Sequence, residues 1–107
     1  MKNILSKKNR LMWVNAKKNI SNGNMLISKN PEMLLPDLWP TYFSKTNGNK
    51  VWDLDNNKYT DMFFGVGTNI LGYNNKEVDN FVIKNLKKGN MSSLNCSEEV
   101  ILSNNLL

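Results

Sequence analysis

The run from Lys50 to Tyr73, KVWDLDNNKYTDMFFGVGTNILGY, confines this chain more than any other, because it follows a hairpin signal and leads into a glycine-spaced apolar segment. Asn47-Gly48 is a strong short-range hairpin signal, and it separates the β-favouring run Thr41 to Lys45 from a second strand over Val51 to Leu54. Another turn follows at Asp55-Asn56-Asn57. Asparagine tolerates the left-handed backbone better than any residue except glycine, so Asn56 or Asn57 closes that turn before a third strand, Lys58 to Phe63. The pattern predicts a three-stranded antiparallel meander within 41–64. Trp52 and Leu54 then share one face of the middle strand, and Val51, Asp53 and Asp55 the other. Three strands alone are thin and need something to pack against.

The flanks predict helices. Residues 1–22 read as an amino-terminal helix, with Met12, Ala16 and Ile20 recurring every four residues beside Trp13 and Gly23 as a stop. The next stretch, 23–40, holds Pro31, Pro36 and Pro40 among Met33, Leu34, Leu35, Leu38 and Trp39, which predicts an extended arm lying against a partner surface. After the glycine-containing segment 65–73, residues 74–107 read as helical. Asn74 is expected to cap a helix with Glu77 three residues on, Val78, Phe81, Val82 and Leu86 form an apolar stripe, and Gly89 ends it. A partial last helix starts near Ser97, with Glu98 and Glu99 in its first turn, and is still apolar at Leu106-Leu107 without a stop signal, as an incomplete domain would be. The expected class is α+β, with a core of Trp52 or Val51, Leu54, Tyr59, Met62, Val78, Phe81, Val82 and Leu86, and with the arm and Leu106-Leu107 poorly covered.

The side chains available for chemistry are few. There is no histidine, so the usual general base near neutral pH and the commonest metal ligand are both missing, and Cys96 alone makes a thiol-protease or zinc centre untenable. Asp53, Asp55 and Asp61 read as solvent-facing turn formers rather than metal ligands. Gly65-Val66-Gly67 with Gly72 matches neither GxGxxG nor the Walker spacing, so these glycines are expected to allow a tight backbone path near another surface. The net charge is +5, but 20 Asn and 13 Lys against a single Arg reflect codon bias better than a nucleic-acid site, and the lysines are scattered. No segment has the length of a membrane span or the layout of a secretory signal, which with one cysteine points to a reducing cytoplasm.

Taken in order, Trp52-Asp53-Leu54-Asp55, Tyr59, Asp61, Gly65, Ile70-Leu71-Gly72-Tyr73 and the Glu77-Val78 helix resemble the amino-terminal region of class III pyridoxal-phosphate aminotransferases. The likeness is greatest to the glutamate-1-semialdehyde 2,1-aminomutase group. Gly23 to Lys29, Pro31-Glu32-Met33, Leu35-Pro36, the run Gly89 to Cys96 and Glu98-Glu99-Val100 extend it over nearly the whole chain. What the resemblance implies is the incomplete small domain of a fold type I enzyme. Such an enzyme is a homodimer that moves an amino group between small donor and acceptor substrates with pyridoxal phosphate. The Schiff-base lysine, the acidic partner of the pyridine nitrogen and the phosphate donors would all lie in a large domain absent from this chain. The piece is therefore expected to hold no catalytic or cofactor-binding residue and to be inactive alone.

The departures from the family pattern carry their own expectations. Lys29 falls where the aminomutases have an arginine for the substrate carboxylate and offers a point charge in place of a fork. Val66, beside Gly67, falls near the family's tryptophan, Asn57 or Asn56 replaces the turn glycine, and Tyr73 replaces a histidine. Lys29, Val66 and Gly67 are thus the candidate substrate-binding residues. The competing expectation is a stand-alone small basic module that binds a partner or nucleic acid.

Overall fold

The computed structural model describes residues 6–89 and 92–107, so the first five residues of the expected 1–22 helix and Asn90-Met91 of the glycine-to-cysteine run lie outside the described residues. The chain divides into two compact units, Met1–Asn75 and Lys76–Leu107. Helix and strand are mixed, and the sheet is the expected meander, antiparallel in the order β1 (Phe43–Asn47), β2 (Lys50–Asp53), β3 (Lys58–Thr60). The register slips between Phe43 and Lys45. Ser44 fills that bulge and donates its hydroxyl to Asp53 O at 2.8 Å.

The pairs Lys45↔Trp52↔Lys58 cross one face of the sheet and Thr46↔Val51↔Tyr59 the other. On the first face the Lys45 and Lys58 ammoniums lie 4.8 and 5.4 Å from the Trp52 ring centre, and Lys50 Nζ donates to Thr60 Oγ1 at 2.6 Å. Asn56 supplies the left-handed residue of the β2–β3 turn, with φ 64°.

Helix α1 (Lys7–Asn19) begins at the cap Ser6, whose hydroxyl accepts from Asn9 N. Its buried face differs from the expected stripe. Asn9, 3 % exposed, and Trp13, 8 %, turn inward, while Met12 and Ile20 are exposed. The reason is polar docking. Asp55 in the β2–β3 turn accepts from Ser6 Oγ and, at 2.9 Å, from Lys8 N, and Asn9 Oδ1 accepts from Tyr42 N at 2.7 Å. With the helix held this way Asn9 meets the approach to β1 at Tyr42, and Trp13, one turn on, packs against Gly23 and donates to Glu32.

The 23–40 stretch is not an extended arm. It winds through short 3-10 turns at Ser21–Gly23 and Ile27–Lys29 and a one-turn helix α2 (Pro31–Leu34). Asn30-Pro31-Glu32 is a helix start: Asn30 Oδ1 caps Glu32 N at 2.9 Å, and proline at the first position loses no needed donor. Gly23, at φ 75°, lies under the Trp13 ring, where an added Cβ would stand 2.5 Å from the indole. Met33, Leu34, Leu35, Leu38 and Trp39 are exposed, as anticipated.

The expected apolar core is largely absent. Among the described residues Trp13 is the one buried large apolar side chain, and Asp53, at 1 %, is the most deeply buried side chain. Val51, Trp52, Leu54 and Tyr59 are half-buried, and Met62 is 83 % exposed because β3 ends at Thr60, before the predicted Phe63. In the second unit α4 (Lys76–Leu86) carries Val78, Phe81, Val82 and Leu86 exposed. Asn74, expected as its cap, has φ 57° and donates its amide to Thr46 O, so the helix starts two residues later. Gly89, at φ 103°, follows it as a stop, and α5 (Ser97–Leu106) starts where predicted.

Candidate functional site

The candidate site grows from Asp61, the residue after β3. Its backbone N–H still bonds Asn49 O at 2.9 Å, while Oδ1 accepts from Phe63 N at 2.7 Å and Phe64 N at 3.1 Å. The chain then makes the single turn α3 (Phe64–Gly67) with left-handed backbone at each residue: φ is 46° at Phe64, 61° at Gly65, 62° at Val66 and 80° at Gly67. Gly67 N bonds Phe63 O at 3.0 Å, Asn69 N bonds Phe64 O at 3.1 Å, and Thr68 Oγ1 bonds Gly65 O at 2.9 Å. For residues other than glycine this backbone costs about 1–2 kcal/mol each, and β-branched valine is the least suited.

The segment returns to the hairpin at Tyr73. Its backbone pairs in both directions with Gly48, at 2.9 and 2.8 Å. Gly72, at φ 82°, has room here for no Cβ without pressing within 3.2 Å of Gly48 O, so one of the predicted close backbone approaches is realised. Tyr73 Oη donates to Asp61 Oδ2 at 2.6 Å, and the Tyr73 and Phe64 rings stack with centres 5.9 Å apart. Burial and the bond to Asp61 push the Tyr73 hydroxyl up to about 12. Burial would raise Asp61, but the bonds from Tyr73 and from the Phe63 and Phe64 amides outweigh it and hold the carboxyl below its ordinary range.

Of the three predicted site residues, Val66 and Gly67 are neighbours in sequence and both lie in α3. Val66 stands 66 % exposed at the crest of α3, and around Gly67 a Cβ would meet nothing within 4 Å, so both present an open surface rather than core packing. Lys29 is exposed at the end of its 3-10 turn, and among the described residues no ion pair joins it to Val66 or Gly67. Asp61 and Phe64 were missed as shaping residues. Their links to Tyr73 span 12 and 9 residues and leave no periodic trace, although an aspartate two and three residues ahead of paired aromatics is a local capping signal.

A pocket of about 450 Å³ opens elsewhere in the first unit, lined in part by Arg10, Trp13, Lys17, Glu32, Trp39 and Tyr59. Glu32 Oε1 accepts from Lys17 Nζ at 2.7 Å and Trp13 Nε1 at 3.1 Å, and the bond from Lys17 followed by that from Trp13 lowers its carboxyl. These residues do not fit pyridoxal phosphate. A Schiff base needs a lysine amine free to react, and the pocket's lysine, Lys17, is paired with the Glu32 carboxylate at 2.7 Å.

Fold and site together define a small α+β unit whose exposed feature is a strained glycine turn pinned to a hairpin tip. No family model matches the chain. Individual proteins do, and they are aminotransferases and aminomutases. It is 42% identical over 53 residues to glutamate-1-semialdehyde 2,1-aminomutase of Nitrosopumilus maritimus (strain SCM1), 50% of this chain and 12% of that protein. It is 50% identical over 36 residues to diaminobutyrate–2-oxoglutarate transaminase of Virgibacillus pantothenticus, 34% of this chain and 9% of that one. To 3-aminobutyryl-CoA aminotransferase of Cloacimonas acidaminovorans (strain Evry) it is 34% identical over 59 residues, 55% and 14% of the two. The chain thus matches about an eighth of the length of such relatives, as a piece of such an enzyme would.

Proposed function

We propose that this chain is the amino-terminal segment of a class III, fold type I aminotransferase or aminomutase, in which α3 forms part of the wall of the substrate site. The observation that carries the reading is the 42% identity over 53 residues to an aminomutase, shared at 34–50% with transaminases of different substrates. What those relatives have in common by name is the movement of an amino group. In the whole enzyme, a homodimer on this reading, pyridoxal phosphate supplies the electron sink from a separate large domain. The segment's own part is binding. Val66 and Gly67 shape the space beside a small amino-group donor or acceptor, and Lys29 offers a point charge to a substrate carboxylate. Alone, the 107 residues turn over nothing.

The test is a graft. The matched segment of the Nitrosopumilus maritimus enzyme is replaced by that of this chain, and amino transfer and amino shift are both assayed. Retained activity in either supports the reading. A chimera that folds and takes up cofactor by its visible absorbance, yet performs neither reaction, overturns it.

A stand-alone module that binds nucleic acid is the second reading, favoured by the Lys45–Trp52–Lys58 row on one sheet face. Against it, both ammoniums already sit over the indole, where a base would have to stack.

A further inference from the structure

We infer that Asp61 and Tyr73 are positioning residues, a clasp that holds α3 in its left-handed form and so fixes where Val66 and Gly67 stand; the inference rests on the proposed role of that turn. Four consecutive left-handed residues, two of them not glycine, are not a conformation the chain adopts by local preference. Something must hold them there. One carboxylate does so from two sides. Asp61 Oδ1 takes the Phe63 and Phe64 amides and fixes the entry of the turn, while Oδ2 takes the Tyr73 hydroxyl and fixes its exit.

Both members of the clasp are anchored in turn to the tip of the β1–β2 hairpin. Tyr73 pairs with Gly48 through its backbone in both directions, and Asp61 N bonds Asn49 O. Phe64, the first residue of the turn, stacks on the Tyr73 ring, so the strained segment is gripped at its start as well. Between these anchors stands Val66. Its side chain is exposed, and its left-handed backbone rests on the bonds around it. The turn's own bonds, Gly67 N to Phe63 O, Asn69 N to Phe64 O and Thr68 Oγ1 to Gly65 O, close it locally, and the bond donated to Asp61 is comparable in strength to the left-handed cost of one such residue, so losing it shifts the balance against the left-handed form.

The experiment is nuclear magnetic resonance on the 107-residue chain, without cofactor or substrate, so its outcome is independent of the graft. The sign of φ at Val66 is read from its amide–Hα coupling and intraresidue contact, and contacts between Trp52 and Lys58 report on the sheet. Tyr73→Phe keeps the ring and removes the donor. In that variant the ratio of left-handed to other conformers at Val66 is expected to fall by roughly tenfold or more, with the sheet contacts intact. Asp61→Asn, which keeps shape but places an amide against the hydroxyl or the backbone donors, is expected to do the same. Adding Val66→Gly to Tyr73→Phe should restore the turn, since glycine enters it at little cost. Val66 remaining left-handed in Tyr73→Phe, the double variant failing to recover the turn, or either single variant losing the sheet contacts as well would overturn the inference.

Discussion

Asp53 is a carboxylate doing what apolar side chains do in most domains. Its Oδ1 accepts from Asp55 N and Asn57 N, and its Oδ2 from Asn57 Nδ2 and Tyr59 Oη, at 2.9 to 3.2 Å. Burial pushes the Asp53 carboxyl up, but those four donors outweigh it and hold it below 3.8. A carboxyl lowered by folding stabilises above its unfolded value, and that stability is lost as the pH falls through the lowered one. Tryptophan fluorescence should therefore report acid unfolding setting in below about pH 3.8. Asp53→Ala at pH 7 should lose about 2–3 kcal/mol, read as an earlier urea midpoint at unchanged slope. The sequence made Asp53 a turn former, which it is, and solvent-facing, which it is not. Asn-rich spacing announces a turn, but that α1 docks on it, through Ser6 and Lys8 at Asp55 and through Asn9 at Tyr42, rests on contacts 33 to 49 residues apart that leave no local trace.

At the scale of elements, the meander was legible because hairpin chemistry is local: Asn47-Gly48 and Asn56 each carry their own turn signal. The helices were legible in place but not in facing. Periodicity located α1 yet chose Met12 and Ile20 over Asn9, because a polar residue on the buried face reads as solvent side until its partners are known. Proline count argued for an extended arm, while position argued otherwise, since Pro31 stands where a helix begins. The left-handed turn α3 left only its glycines as a trace. Its strain makes a prediction at this scale: Val66→Gly should raise the thermal midpoint by about 4–8 °C, because glycine removes about 1 kcal/mol of backbone strain. Scanning calorimetry checks it, and an unchanged or lower midpoint would mean that the strain is relieved elsewhere.

For the whole molecule the dominant fact is apolar surface. Among the described residues no helix is long and apolar enough to cross a membrane, yet Val78, Phe81, Val82 and Leu86 on α4 and Val100, Ile101, Leu102 and Leu106 on α5 are all exposed. Surface of this kind is covered in functioning proteins. Sedimentation of the 107-residue chain should be concentration-dependent, and Phe81→Ser with Leu86→Ser should shift it towards monomer without moving the urea midpoint of the sheet. If the chain is one segment of an amino-group-moving enzyme, the mass of the native polypeptide that carries it will show it. A protein several times heavier than 12.3 kDa, with the visible absorbance of bound cofactor, is the predicted result. A native polypeptide of 12.3 kDa, monomeric and colourless, would contradict it.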